Sequence, residues 1–203
     1  LVDSKYSPDA SWATYTDGSK TFTMNHWGNY NYGGWKGCDL RYDVLGATSQ
    51  QPSDYGKQHT TSCVGYDATA ATLTNPKADT LLAALPSELR NVMRLWTRWV
   101  DAVGNSSNVD ANIKATVDAI TLLAEPEIFS SRSYANEYEK NHNTQMAYYA
   151  NGNSTIRYKH NDVSTAVYVW EASPNYNNNN NFCNVNTSGG ANNNNANNSN
   201  ALA

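Results

Sequence analysis

The chain has 203 residues, only 16% of them charged, and its formal net charge is −4. Nucleic acid is excluded as an expected partner because no basic surface is available to neutralise phosphates, and no apolar run approaches the roughly 18 residues of a membrane span. The length suits one domain over residues 1–203, and 14 Tyr with 6 Trp provide enough apolar area for its core.

The N-terminal part, residues 1–30, is rich in Tyr, Thr and Ser, and runs such as 21–24 predict short strands joined by loops. Its first ten residues lack the basic and apolar segments of a signal peptide, so we expect none in this stretch. Three cysteines, Cys38, Cys63 and Cys183, have no CxxC spacing, which argues against a zinc knuckle. We expect free buried thiols, and one disulfide remains the alternative.

A first helix is predicted to begin at Asn75 and Pro76. Asn is a preferred N-cap, and a Pro in the first turn loses no hydrogen bond because its missing N–H would have no partner there. The apolar face of this helix is formed by three leucines, Leu81, Leu82 and Leu85.

A second helix is predicted after Pro86, with Ser87 as its cap and Gly104 as its end. Apolar residues recur between them at helical spacing, and they include Trp96 and Trp99. Two Trp three residues apart could form a binding platform, but we expect this face to lie in the core.

Residues 119–129 hold an apolar run that ends in Glu125, Pro126 and Glu127. A Pro cannot join the middle of a sheet, so the run predicts a strand or a short helix that leaves the core. On a strand the two glutamates would share one face and could hold a cation or a proton; we expect instead that one Glu makes a structural hydrogen bond. Residues 165–170 are strongly β-prone and predict a strand covered on both faces.

The predicted order of strands, two helices and strands differs from βαβα alternation and indicates an α+β domain. No nucleophile elbow, phosphate-binding loop, dinucleotide fingerprint or EF-hand loop occurs in the chain. The four histidines, His26, His59, His142 and His160, lack metal-ligand spacing. We therefore expect no catalytic residue, no metal and no cofactor.

Asparagine is concentrated at the end of the chain. Residues 171–203 contain 15 Asn in 33 positions, against 14 Asn in the preceding 170. A disordered tail is one interpretation, but Cys183 and Val185 alternate with Asn184 and Asn186, which is the period of a strand with one buried face. Together with the turn signal at 189–190, this pattern predicts a hairpin whose outward positions are nearly all Asn.

Several pieces of the chain resemble a bacterial and phage family of C-type-lectin-fold domains that includes the variable proteins of diversity-generating retroelements. The pieces keep the family's order and spacing between residues 31 and 203. They are NYGGWKGCDLR (31–41), LLAALPSELRNV (81–92), LLAEPEIF (122–129), NTQMAYY (143–149), WEASP (170–174) and FCNVNTSGGA (182–191). The chain differs from the family in having Glu171 where an Arg is common.

The resemblance implies a C-type lectin fold, with two helices packed on a twisted antiparallel sheet and a variable surface at the C-terminal end, in the Asn-rich region 171–203. In such systems reverse transcription substitutes template adenines, so AAY codons for Asn become the diversified positions. The ligand-binding positions that this implies are Asn175, Asn177, Asn178, Asn179, Asn180, Asn181, Asn184, Asn186, Asn192, Asn193, Asn194, Asn195, Asn197, Asn198 and Asn200. Four residues, Trp170, Phe182, Cys183 and Val185, are expected to hold the backbone beneath them.

The implied partner is a protein or surface ligand, the implied location is a phage virion or a bacterial cell surface, and a homo-oligomer is possible. Two alternatives stay open. The formylglycine-generating enzymes share the fold class but need a reactive cysteine pair, whereas only Cys183 lies in the corresponding region. A calcium-dependent carbohydrate lectin needs clustered carboxylates, and the sequence from residue 172 onward contains no Asp or Glu.

Overall fold

The computed structural model describes residues 14–16, 19–25, 28–48, 67–150, 156–157, 159–160, 166–198 and 200–201. The predictions made for the first ten residues and for His26, His59 and Cys63 lie outside the described residues. Within these ranges the protein combines short helices with small, mainly antiparallel sheets, which confirms the α+β prediction.

The strands are short, and most of them belong to one sheet. They are β1 (Thr14–Thr16), β2 (Ser19–Phe22), β3 (Trp96–Asp101), β4 (Ile113–Asp118), β5 (Lys159–His160), β6 (Ala166–Val167), β7 (Val169–Pro174), β8 (Asn181–Val185), β9 (Ala191–Asn195) and β10 (Asn200–Ala201). The six-stranded sheet has the order β1-β2-β10-β7-β8-β9, and only the β10–β7 pair is parallel. β3 with β4 and β5 with β6 form two further antiparallel pairs.

The α-helices have between four and six residues in the described part of the chain. They are α1 (Gly34–Gly37), α2 (Ala70–Thr74), α3 (Leu81–Ala84), α4 (Ser87–Val92), α5 (Glu125–Phe129) and α6 (Ala147–Ala150). One π-helical turn at 40–44 and two 3₁₀ helices at 110–112 and 137–141 add to them. Several short helices therefore stand in the described ranges where the resemblance implies two helices packed on the sheet.

The first predicted helix starts at the wrong residue. Asn75 ends α2, and α3 begins after Thr80, whose hydroxyl oxygen accepts a hydrogen bond from the Ala83 N–H at 3.3 Å. Both Asn and Thr suit helix boundaries, so the cap signal alone does not separate an end from a start. Leu82 is fully buried, as predicted.

The second predicted helix is also wrong beyond Val92. Trp96 to Asp101 form β3, which pairs with β4 in a register that sets Trp96 opposite Asp118. Trp96 and Trp99 are 46% and 38% exposed, so the expectation that they lie in the core fails as well. Aromatic and β-branched residues favour a strand once a partner is present, and that pairing overrides the helical spacing.

The run at 119–129 leaves the core as α5, with Pro126 in its first turn, so the short-helix alternative is correct. Glu125 and Glu127 do not share a strand face. The Glu127 carboxylate accepts the Ala124 N–H at 2.7 Å, and the Glu125 carboxylate accepts the Ala135 N–H at 2.6 Å. The expected structural hydrogen bond is therefore confirmed, and both glutamates make one. The strand predicted at 165–170 is confirmed for its described part by β6 and β7, which are separated at Tyr168. The expectation that both faces are covered holds for β7 and is wrong at Tyr168, which is 40% exposed.

The large sheet is covered on both faces at its centre. The main core packs Trp35, Trp170 and Phe182 with Met24 and smaller residues, and all four side chains are at most 3% exposed. A second cluster of Ile128, Tyr149 and Val185 contacts the other face. Because β8 contributes to both clusters, its residues from Phe182 to Val185 are all buried.

Candidate binding surface

The predicted hairpin is confirmed. β8 and β9 pair antiparallel from Asn181 opposite Asn195 to Val185 opposite Ala191. The turn is closed by Asn186, whose N–H donates to the Gly190 carbonyl at 2.9 Å and whose side-chain oxygen accepts the Gly190 N–H at 3.0 Å. Gly189 has φ 78°, a left-handed conformation that favours Gly.

The fifteen predicted contact residues differ in their exposure. Twelve side chains reach solvent wholly or in part: Asn177, Asn178, Asn179, Asn180, Asn181, Asn186, Asn192, Asn193, Asn194, Asn195, Asn197 and Asn198. Three are buried: Asn175 at 3%, Asn184 at 0% and Asn200 at 3% exposure. The expectation that all fifteen face outward is wrong at these three positions.

Asn184 is buried because β8 lies between the two hydrophobic clusters. It stands opposite Trp170 on β7, while Cys183 and Val185 point to the other face. The alternation in the sequence therefore separates two buried faces rather than a buried face from an exposed one. Neither the amide nitrogen nor the oxygen of Asn184 has a hydrogen-bond partner among the described residues.

Replacing Asn184 with Leu should raise the free energy of unfolding by roughly 1 to 3 kcal/mol, because a buried amide without partners is exchanged for an apolar side chain of similar size. Chemical denaturation measures the effect. Asn197→Leu is the matched control, since Asn197 is exposed, and it should change stability by no more than about 0.5 kcal/mol. A loss of stability in Asn184→Leu would contradict the description of Asn184 as a buried amide without hydrogen-bond partners.

The loop between β7 and β8 is held from below by Asn31, which is fully buried. Its side-chain nitrogen lies 3.1, 2.6 and 2.9 Å from the carbonyl oxygens of Asn175, Asn178 and Asn181. The Asn31 backbone N–H donates to the Asn179 carbonyl at 2.8 Å. This one residue thus contacts the backbone of the loop at four points.

Some loop side chains have structural partners of their own. The Asn175 side chain accepts the Asn177 N–H at 2.8 Å, and the Asn178 side chain accepts the Asn180 N–H at 2.7 Å. These are Asx turns, which Asn favours. Asn179 donates from its side chain to the Tyr32 hydroxyl at 3.1 Å. Substitution at Asn175 or Asn178 therefore changes the loop as well as its surface.

The segment after β9 packs beside this loop. The Ala196 N–H donates to the Asn180 carbonyl at 2.7 Å, and the Ala196 carbonyl accepts the Asn25 N–H at 2.9 Å. This places the loop and the turn after β9 at one end of the sheet. We call their exposed and half-exposed asparagines the asparagine surface; its members are Asn177, Asn178, Asn179, Asn180, Asn181, Asn194, Asn195, Asn197 and Asn198.

The remaining half-exposed asparagines lie apart from the loop end. Asn186 occupies the turn at the opposite end of β8, roughly 17 Å away for five strand residues. The pairing register puts Asn193 on the same face as Cys183, and Asn192 on the face of Asn184. The expectation of one exposed surface holds for the loop end and fails along β9, whose asparagines are divided between two faces.

The asparagine surface offers amide groups and no charge of its own. Residues 172–203 contain no Asp, Glu, Lys or Arg. Beside it, the Arg132 guanidinium lies 3.9 Å from the centre of the Tyr176 ring, and the Tyr176 N–H donates to the Tyr134 carbonyl at 2.8 Å. Amides donate and accept hydrogen bonds but bury little apolar area, so the surface is suited to weak polar contacts.

The residues expected to support the surface do so. Trp170, Phe182, Cys183 and Val185 are each at most 2% exposed. Cys38 and Cys183 are free and buried, as predicted, and burial raises the pKa of the Cys183 thiol well above its ordinary value. Asn31 was not predicted from the sequence, because no local pattern distinguishes it from the other asparagines.

Comparison of the chain with protein-family models, with curated proteins and with solved structures finds no match. The family resemblance is therefore carried by the six sequence pieces quoted above. In the ranges that the structure describes, no helix is long and apolar enough to cross a membrane.

Proposed function

We propose that this chain is a ligand-binding domain of the C-type-lectin fold and a variable protein of a diversity-generating retroelement. Its exposed asparagines are the positions that adenine-directed mutagenesis exchanges, and this sequence stands near the template state. One observation carries the proposal: twelve of fifteen asparagines reach solvent on a backbone held by hydrogen bonds and buried residues.

The mechanism is that of a rigid scaffold with an exchangeable surface. Asn31 and the strand pairing fix the loop before a ligand arrives, which reduces the entropy lost on binding. Asn itself contributes little affinity, because binding energy at interfaces is concentrated in Trp, Tyr and Arg. Replacement of several surface asparagines by such residues creates the binding site, and this version of the chain binds weakly.

The proposed contact set is narrower than the fifteen asparagines. Asn175, Asn184 and Asn200 are buried, so exchange there alters packing beneath the surface rather than contacts with a ligand. The partner we propose is a protein or surface ligand. The domain itself is carried on a phage virion or a bacterial cell surface. A homo-oligomer would present several copies of the surface together.

Catalysis by Cys183 is not part of the proposal. A nucleophilic cysteine is partly exposed and has a lowered pKa. Cys183 is fully buried, and its pKa is raised by desolvation and by the nearby Glu125, Glu171 and Glu139 carboxyls. These are the features of a structural thiol, which supports a binding function over a formylglycine-generating one.

A library diversified at the asparagine surface should yield binders to an immobilised protein target, and the proposal predicts this outcome of a display selection. The matched control is a library of equal size at exposed β3 positions, Trp96, Thr97 and Trp99, which belong to a rigid strand outside the Asn-rich region. Binders enriched equally from both libraries would overturn the assignment of the surface. Independently, the gene should lie near a reverse transcriptase and a near-copy of its 3′ end that differs mainly at adenines.

A further inference from the structure

A group of three potential metal ligands lies beneath the hairpin. The carboxylates of Glu125 and Glu171 and the sulfur of Cys183 each offer one atom, and these atoms lie within 4.8 Å of one another. All three side chains are fully buried. They come from three elements, α5, β7 and β8, that the chain brings together from distant positions.

The Glu171 carboxylate supplies the second observation. It is 0% exposed, and neither of its oxygens has a hydrogen-bond partner among the described residues. A buried carboxylate without a partner costs several kcal/mol unless it is protonated or coordinates a cation. Its oxygen faces Glu125 and Cys183, which is the direction in which a shared cation would lie.

The Glu125 carboxylate is held in place by backbone hydrogen bonds to both of its oxygens. Its carboxylate accepts the backbone N–H groups of Tyr134 and Ala135, at 3.0 and 2.6 Å. Hydrogen bonds of this kind orient metal-binding carboxylates in known sites. The Glu125 backbone N–H donates to the Ser173 hydroxyl at 3.0 Å, which ties the start of α5 to β7.

We propose that Glu125, Glu171 and Cys183 bind one Zn²⁺ ion. A thiolate favours zinc over calcium or magnesium, and carboxylate oxygens are also zinc ligands. The three ligands carry three negative charges when deprotonated, and the divalent cation offsets two of them in a region without solvent.

The ion would act as a structural cross-link beneath the asparagine surface. Coordination joins α5 to β7 and β8, the two strands that flank the loop of the surface. Glu139 lies close by, its carboxylate accepting the Ser173 hydroxyl at 2.5 Å. The inference does not depend on the proposed function, because it concerns buried residues that contact no ligand of the surface.

The test is zinc binding by the purified full chain after treatment with chelator. Wild type should take up one Zn²⁺ per chain, and its melting temperature should rise when zinc is added. Glu171→Gln keeps the size of the side chain and should weaken zinc binding by at least about 100-fold. The separate variant Cys183→Ser should weaken zinc binding by a similar factor. Co²⁺ in place of Zn²⁺ should give a thiolate charge-transfer band that Cys183→Ser removes.

Cys38→Ser is the matched control, because Cys38 is an equally buried free thiol outside the cluster, 1% exposed. It should keep the zinc stoichiometry and the melting shift of wild type. The proposal is overturned if wild type binds less than one zinc per chain, or if Glu171→Gln binds zinc as tightly as wild type. Should Cys183→Ser fail to fold, the Glu171→Gln comparison still decides the matter.

Discussion

Replacing Asn31 with Ala should lower the free energy of unfolding by roughly 3 to 5 kcal/mol. The side chain provides the donor shared by the Asn175, Asn178 and Asn181 carbonyls, and its oxygen accepts the Asn105 N–H at 2.9 Å. Truncation removes this partner from the Asn175 and Asn178 carbonyls and from the Asn105 N–H, at about 1 to 3 kcal/mol for each one that stays buried. The Asn181 carbonyl keeps the Asn175 N–H at 2.9 Å. Denaturant unfolding measures the loss, and amide hydrogen exchange at Asn105 should accelerate.

Two further variants separate the roles of Asn31. Asn31→Asp keeps an acceptor for Asn105 but places a carboxylate against carbonyl oxygens, so it should be at least as destabilising as Ala. Asn197→Ala removes an exposed asparagine of the surface and should change stability by no more than about 0.5 kcal/mol. If the free energy of unfolding of Asn31→Ala stays within about 1 kcal/mol of wild type, Asn31 does not hold the loop between β7 and β8.

Asn31 and Asn197 differ in how visible they are in the sequence. Composition predicts the asparagine surface, to which Asn197 belongs, but it does not predict Asn31, which holds the loop of that surface. A run of asparagines is visible as an anomaly in the sequence, whereas a single buried Asn at 31 is indistinguishable from any other. Its role depends on contacts with residues almost 150 positions away. Local patterns contain no information about such pairings.

The hairpin was predictable because its turn and strands are adjacent in the chain. Asn186, Gly189 and Gly190 close it with bonds that span four residues or fewer. Burial of Asn184 was not predictable in the same way, since period 2 shows which residues share a face but not whether both faces are covered. The main core decides that question, because Trp170 and Phe182 lie on the face of Asn184 and cover it.

The helix errors have a related cause. Trp96 and Trp99 are three residues apart, which suits a helix. On the strand they lie on opposite faces, and Trp96 shares the face of the buried Arg98 and Val100. Burial of Arg98 is compatible with folding because it forms an ion pair with Glu127 on α5. No local pattern predicts that partner, so hydropathy alone favoured the helix.

Stability should fall as the pH rises from about 4.5 to about 8, because Glu139 is protonated in the folded state. Burial, together with the Asp101 and Glu125 carboxyls, raises the pKa of Glu139 from 4.5 to about 8. Hydrogen bonds from the Ser173 hydroxyl and the Asp101 N–H lower the pKa but do not offset desolvation. The protein therefore keeps a proton here that the unfolded chain loses.

The sign follows from proton counting. Between these two pKa values the folded state holds one proton more than the unfolded state, so the free energy of unfolding decreases by about 1.4 kcal/mol per pH unit. Below about pH 4.5 the contribution of Glu139 is fully present, and above about pH 8 it is lost. Arg98, the nearby cation on β3, stays charged throughout this range, since burial lowers its pKa only to about 10.

Glu139→Gln should reduce this slope by up to about 1.4 kcal/mol per pH unit, because an amide has no proton to lose. Urea unfolding between about pH 5 and about pH 8, with chelator present to exclude metal, measures the slope of each variant. A smaller decline should remain in the variant, since burial also raises the pKa of Glu125 and Glu171. Glu88→Gln changes an exposed carboxylate on α4 and should leave the slope of wild type unaltered. Equal slopes in wild type and Glu139→Gln would show that the buried carboxyl at 139 does not hold the proton.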